Sequence, residues 1–98
     1  MPAKVLILIL LSLLQSGIYA QQVTVTGKVT SEEEPSGIPG VSVVISGTVK
    51  GTITDIDGNY SLSGVSSSDT LKFSYIGYET RYIPVGSHRV IDLLMVVS

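Results

Sequence analysis

The chain has 98 residues, with six basic and eight acidic side chains, one histidine and no cysteine. That length holds one small domain, the slightly acidic balance offers no basic surface for a phosphate backbone, and the lack of cysteine excludes a disulfide-stapled scaffold. A domain this small, without staples, must rest on a well-ordered hydrophobic core.

The first segment, residues 1–20, reads as a helical secretory signal peptide. Lys4 supplies the positive start, VLILILLSLL (Val5–Leu14) the apolar stretch, and Ala20 the small residue before the expected cut. The apolar run is shorter than the roughly 20 residues a bilayer span requires. No cysteine follows it, so a lipid-anchored form is not expected. Its removal takes Lys4 away and leaves five basic against eight acidic side chains, a net charge of −3.

Residues 21–98 read as strands almost throughout. In QVTVTGKVT (Gln22–Thr30), Val23, Val25, Gly27 and Val29 fall on one face, and this period of two with β-branched residues marks a half-buried strand. SEEEPSGIPG (Ser31–Gly40) breaks the pattern with prolines, glycines and three glutamates, as a solvated loop does. Pro39-Gly40 then sets a tight lead into a second strand that places Val41, Val43 and Ile45 on one face. Gly47 and Gly51 flank a reversal, and two short strands, Thr52–Thr54 and Tyr60–Leu62, surround the segment DIDGN. After a polar loop at Ser63–Thr70, LKFSYIGYETRYIPV (Leu71–Val85) carries two strands broken near Gly77, with Leu71, Phe73 and Tyr75 facing inward. His88–Val97 closes the domain, with His88 in VGSHRV, a turn before the last strand. Tyr60, Phe73 and Tyr75 are expected in the core, Tyr78 and Tyr82 at the surface. About seven short strands separated by turn signals predict an all-β antiparallel Greek-key sandwich.

The segment GTITDIDGNYSL (Gly51–Leu62) crowds oxygen ligands together as calcium loops do. The spacing fails, however: counted from Asp55, glycine arrives at the fourth position and Ser66 occupies the twelfth, where an EF-hand needs glutamate. Asp57-Gly58 between two strand signals predicts a type I′ hairpin, with Asp55 capping the turn through its own carboxylate. A weak cation site is the competing reading. His88 has no cysteine or second histidine with which to share zinc, and no serine sits in a G-x-S-x-G elbow. A triad would have to recruit His88 and Asp92, so neither catalysis nor a cofactor is expected.

The order VTGKVT, SGIPGVSVVISGT, GTITDIDGNYSL and LKFSYIGYET resembles the carboxypeptidase regulatory-like domain, in the version found at the N-terminus of SusC/RagA-type TonB-dependent outer-membrane transporters of Bacteroidota. The resemblance covers Val23 to about Leu94. It implies a seven-stranded transthyretin-like or Ig-like sandwich without zinc ligands, at the periplasmic face of the outer membrane. The implied role is non-catalytic, in assembly or signalling during nutrient uptake. The implied partners are the rest of the transporter, the periplasmic or inner-membrane energising proteins and a surface lipoprotein. Such a transporter continues into a TonB box, plug and barrel, whereas this chain ends at LLMVVS; it is read as a fragment, a truncated form or a free-standing domain. Asp69-Thr70-Leu71 resembles the Asp-Thr-apolar motif at which Bacteroidota attach glycans, which makes Thr70 a candidate attachment site. The competing reading is a free-standing periplasmic or surface domain that binds carbohydrate or protein. It gains if Tyr78 and Tyr82 lie together on the surface beside a groove and loses if they are buried.

Overall fold

The computed structural model describes residues 21–98; the expected signal peptide, residues 1–20, lies outside them. Every regular element among the described residues is a strand: β1 (Val23–Ser31), β2 (Ser42–Ile45), β3 (Gly51–Ile53), β4 (Asn59–Val65), β5 (Thr70–Ser74), β6 (Arg81–Pro84) and β7 (Leu93–Met95). They form two sheets, of three strands in the order β4-β1-β7 and of four in the order β3-β2-β5-β6. The β2–β3 and β5–β6 connections are hairpins within one sheet, and every other connection crosses between the sheets. The architecture is that of a β-sandwich.

Period-two alternation explains which residues meet between the sheets. Val25 and Val29 of β1, Tyr60 and Leu62 of β4, and Leu93 and Met95 of β7 face Val43 and Ile45 of β2 and Leu71 and Phe73 of β5, all of them buried. Val65 ends β4 facing the same core, and Ile38, Val41, Val85 and Ile91 close it from the connections. Burial of each such side chain is worth about 1.5–3 kcal/mol relative to exposure, and these contributions replace the missing disulfides. The ring of Tyr60 meets Phe73 edge to face, with centroids 5.6 Å apart and planes at 75°. Its hydroxyl donates to the Ile91 carbonyl at 2.6 Å. Gly27 makes room for that arrangement, since a Cβ there would collide with the Ile91 carbonyl and come within 2.8 Å of the Tyr60 ring.

Three features depart from the pattern read in the sequence. First, β7 runs parallel to β1, pairing Val29 with Leu93 and Ser31 with Met95, so the sandwich is not antiparallel throughout. The chain enters β7 after crossing from the other sheet, and a crossover permits the parallel direction that a tight hairpin forbids. Second, the last strand takes only Leu93–Met95 of the closing segment, with Val90 and Val97 making only isolated bridges to Thr26 and Tyr78. Third, β5 stops at Ser74, so Tyr75 does not continue the inward face; it is 40% exposed, whereas Tyr78 packs against the core.

Candidate interaction surface

Strand direction sorts the connections into two ends. β1, β3, β5 and β7 finish where β2, β4 and β6 begin, which gathers residues 32–41, 54–58, 75–80 and 96–98 at one end. Residues 46–50, 66–69 and 85–92 belong to the other.

The DIDGN segment lies at the first end, and its geometry is local. Asp55 Oδ1 accepts hydrogen bonds from the amides of Asp57 and Asn59, both at 2.9 Å. The Gly58 amide donates to the Asp55 carbonyl, and the Asp55 amide donates to the Asn59 carbonyl, again at 2.9 Å. Within this segment only Gly58 has positive φ, at 78°, and among the described residues no non-glycine residue does. The turn is therefore not type I′, which needs positive φ at both central residues; it is a type I turn with glycine in the following left-handed position. The segment is also not a hairpin within one sheet, because β3 pairs with β2 and β4 pairs with β1. It carries the chain from one sheet to the other. The carboxylate oxygen of Asp55 serves the turn's own donors.

Two contacts missed by the sequence reading hold this end together. Thr54 is buried, and its hydroxyl donates to the Ile38 carbonyl at 2.6 Å while accepting from the Val41 amide at 2.9 Å. Its backbone adds bonds in which the Gly40 amide donates to the Thr54 carbonyl (3.1 Å) and the Thr54 amide to the Val41 carbonyl (3.0 Å). Gly37 and Gly58 meet backbone to backbone; a Cβ on Gly58 would lie 2.5 Å from the Val29 carbonyl oxygen and 2.8 Å from Gly37 Cα. Threonine at the end of a β-rich stretch gives no hint that its hydroxyl faces inward. A glycine between polar loop residues gives no hint of what it touches.

The other turn residues fall as follows. Pro39 is exposed, and Gly40 has φ 82° with the Tyr75 ring 3.3 Å from where its Cβ would stand. Gly47 has φ 81° in the β2–β3 turn, where the amide and hydroxyl of Thr48 both donate to the Ile45 carbonyl. Gly51 belongs to β3 rather than to the turn, and a Cβ there would collide with Val44. Gly77 has φ 91° at the third position of a turn closed by the Tyr78 amide on the Tyr75 carbonyl at 3.1 Å, which is type II geometry. Thr70 opens β5 opposite Pro84 and is half-buried.

The aromatic side chains do not form one platform. Tyr78 is half-buried, with its hydroxyl 3.2 Å from Ser31 Oγ and its ring 6.0 Å from that of Tyr75. Tyr82 stands on the outer face of the four-stranded sheet, opposite Lys72 and 55% exposed. With Tyr78 half-buried and Tyr82 on the outer sheet face, the free-standing binding alternative loses this support. His88 and Asp92 do not form a catalytic pair either. Nδ1 of His88 lies 3.2 Å from the Val85 carbonyl, while Asp92 Oδ1 accepts from the Lys28 amide at 2.8 Å. Both line an open cleft of about 520 Å³ whose other walls, including Ile83, Pro84 and Val90, are apolar. Tyr60, the one buried titratable side chain among the described residues, is held protonated well above its ordinary value, first by burial and then by the charge of Asp92.

Comparison with known proteins agrees with this geometry. The family described as CarboxypepD_reg-like domain matches residues 25–97. TonB-dependent receptor P39 of Formosa agariphila is 43% identical over 95% of the chain, and the match spans 9% of that receptor. TonB-dependent receptor SusC of Bacteroides thetaiotaomicron is 40% identical over 86% of the chain and is matched over 8% of its length. Among solved structures, a C-terminal interface mutant of a type II cohesin–X–dockerin complex from Acetivibrio cellulolyticus superposes with a TM-score of 0.62 at 27% identity, over 76% of this chain and 58% of that one. The corresponding N-terminal interface mutant gives 0.61 at 23% identity, a likeness of fold alone.

Proposed function

Because this chain belongs to the CarboxypepD_reg-like domain family, we propose that it serves as a non-catalytic periplasmic module of a SusC/RagA-type TonB-dependent outer-membrane transporter. One observation carries the reading: 95% of the chain aligns at 43% identity with only 9% of a TonB-dependent receptor. The similarity is that of a whole domain to a small part of a much larger protein. Residues 1–20 direct export, and residues 21–98 form the module, which contacts neighbouring parts of the transporter or its energising proteins during uptake. A non-enzymatic role is supported by the separate bonding of His88 and Asp92.

In-frame removal of the codons for residues 21–98 in the native host, with the first twenty retained, tests this. The receptor is expected to reach the outer membrane and bind its nutrient while energised uptake falls several-fold. Uptake at the unaltered rate would contradict the proposal.

A further inference from the structure

The two ends of the sandwich differ in charge. Residues 32–41, 54–58, 75–80 and 96–98 contain Glu32, Glu33, Glu34, Asp55, Asp57 and Glu79, six of the eight acidic side chains, and no lysine, arginine or histidine. Residues 46–50, 66–69 and 85–92 contain Lys50, Asp69, His88, Arg89 and Asp92, two acidic side chains against two basic ones and the histidine. The acidic end also carries the densest set of exposed apolar side chains. Ile56 and Ile76 are 83% and 95% exposed, and Tyr75, Val96 and Val97 are exposed nearby, with Ile53 at the adjoining strand end. An isoleucine held fully in water at a loop tip gains nothing for the isolated fold, and clusters of such residues mark contact surfaces.

This end is also firmly built. The Thr54 hydroxyl ties residues 38–41 to the Asp55 turn. The Glu79 amide donates to the Val96 carbonyl (2.8 Å) and the Ser98 amide to the Gly77 carbonyl (3.0 Å), which fixes residues 96–98 beside the Ile76 turn. A presented surface of this kind costs a partner little ordering on binding.

We propose that this acidic, isoleucine-tipped end docks a partner protein through a segment in which lysine or arginine alternates with apolar residues. The isoleucines and Tyr75 supply the contact area, and the six carboxylates select the partner's charge and speed its approach. The opposite end of a second copy is a poor occupant, because Lys50 Nζ and Arg89 are directed to carbonyls of their own chain, Lys50 to Gly64 and Arg89 to Gly86 and His88. An anionic bilayer is repelled by the same carboxylates. The inference rests on the reading of the domain as a protein-interaction module. Its test is independent of uptake in cells, so either can fail while the other stands.

The full chain, ¹⁵N-labelled and recovered from the periplasm of an expression host, is titrated with two synthetic peptides, Lys-Val-Lys-Ile-Lys-Val-Lys and its glutamate counterpart. The lysine peptide is expected to shift amide resonances of residues 53–58 and 75–80. Raising ionic strength from about 0.01 to about 0.15 M, which shortens the Debye length from about 30 to about 8 Å, should weaken binding about tenfold. The exposed-residue double variant Ile56→Ser/Ile76→Ser should abolish the shifts with an unchanged urea midpoint, while Val49→Ser at the other end should leave them in place. Equal binding of the glutamate peptide, shifts centred on residues 46–50 or 85–90, self-association that blocks the shifts, or no shifts at all would overturn the proposal.

Discussion

Replacement of Thr54 by valine keeps the side-chain shape and removes the hydroxyl that joins the loop 38–41 to the crossover turn. Two buried bonds are lost together, the donation to the Ile38 carbonyl at 2.6 Å and the acceptance from the Val41 amide at 2.9 Å. A net hydrogen bond contributes about 1 kcal/mol, and each partner left unsatisfied in the interior costs about 1–3 kcal/mol. With the Ile38 carbonyl and the Val41 amide both left unpaired in the interior, Thr54→Val should cost about 3 kcal/mol. Thr54→Ser keeps both bonds and loses one methyl, about 0.8 kcal/mol. For a domain whose whole stability is on the order of 5 kcal/mol, the first variant is close to unfolding and the second is comfortable. Urea unfolding followed by tyrosine fluorescence gives both values from the midpoints at constant slope. If Thr54→Val were no less stable than Thr54→Ser, the hydroxyl would not hold this end, and the account of a pre-shaped surface would fail with it.

Other positions give distinct signatures. Tyr60→Phe removes the donor to the Ile91 carbonyl and should cost about 1–2 kcal/mol. Because burial raises the Tyr60 pKa above its ordinary 10.0, the unfolded chain loses that proton first. This contribution is complete below pH 10.0 and is lost as pH rises above it; the Tyr60→Phe variant should lack that component of the alkaline decline. Gly27→Ala drives a methyl into the Ile91 carbonyl and the Tyr60 ring, and should cost about 2–3 kcal/mol by thermal unfolding. Gly47→Ala, which meets nothing within 4 Å, should cost less and only through its backbone angle of 81°. Millimolar calcium should leave the melting temperature within about 1 °C, because Asp55 Oδ1 is engaged by the Asp57 and Asn59 amides; a rise of several degrees, by the mass-action linkage of binding to stability, would restore the cation-site reading.

Much of the sandwich is legible in the sequence because a strand with one buried face must alternate. Val41, Val43 and Ile45, and Leu71 and Phe73, all point inward as their spacing requires. The alternation misleads at Tyr75, where pairing has ended and the chain has begun the type II turn around Gly77. Period alone does not say where a strand stops. The parallel direction of β7 is equally hidden, since direction is set by which end of the sandwich the chain crosses from. The Asp57-Gly58 signal locates a turn but not its class, which depends on whether the flanking strands share a sheet. The acidic end is legible only after the topology is known. Glu32–Glu34, Asp55, Asp57 and Glu79 are scattered over almost fifty positions in the sequence, and only strand direction brings them together.

The claim that this domain works as part of an outer-membrane transporter is tested most directly by fractionating native cells and probing them with an antibody against residues 21–98. The account predicts a single large band, roughly tenfold longer than this domain, in the outer membrane, in line with a match that spans 9% of a relative. A small band confined to the soluble periplasm would contradict it and turn attention to a domain that acts alone.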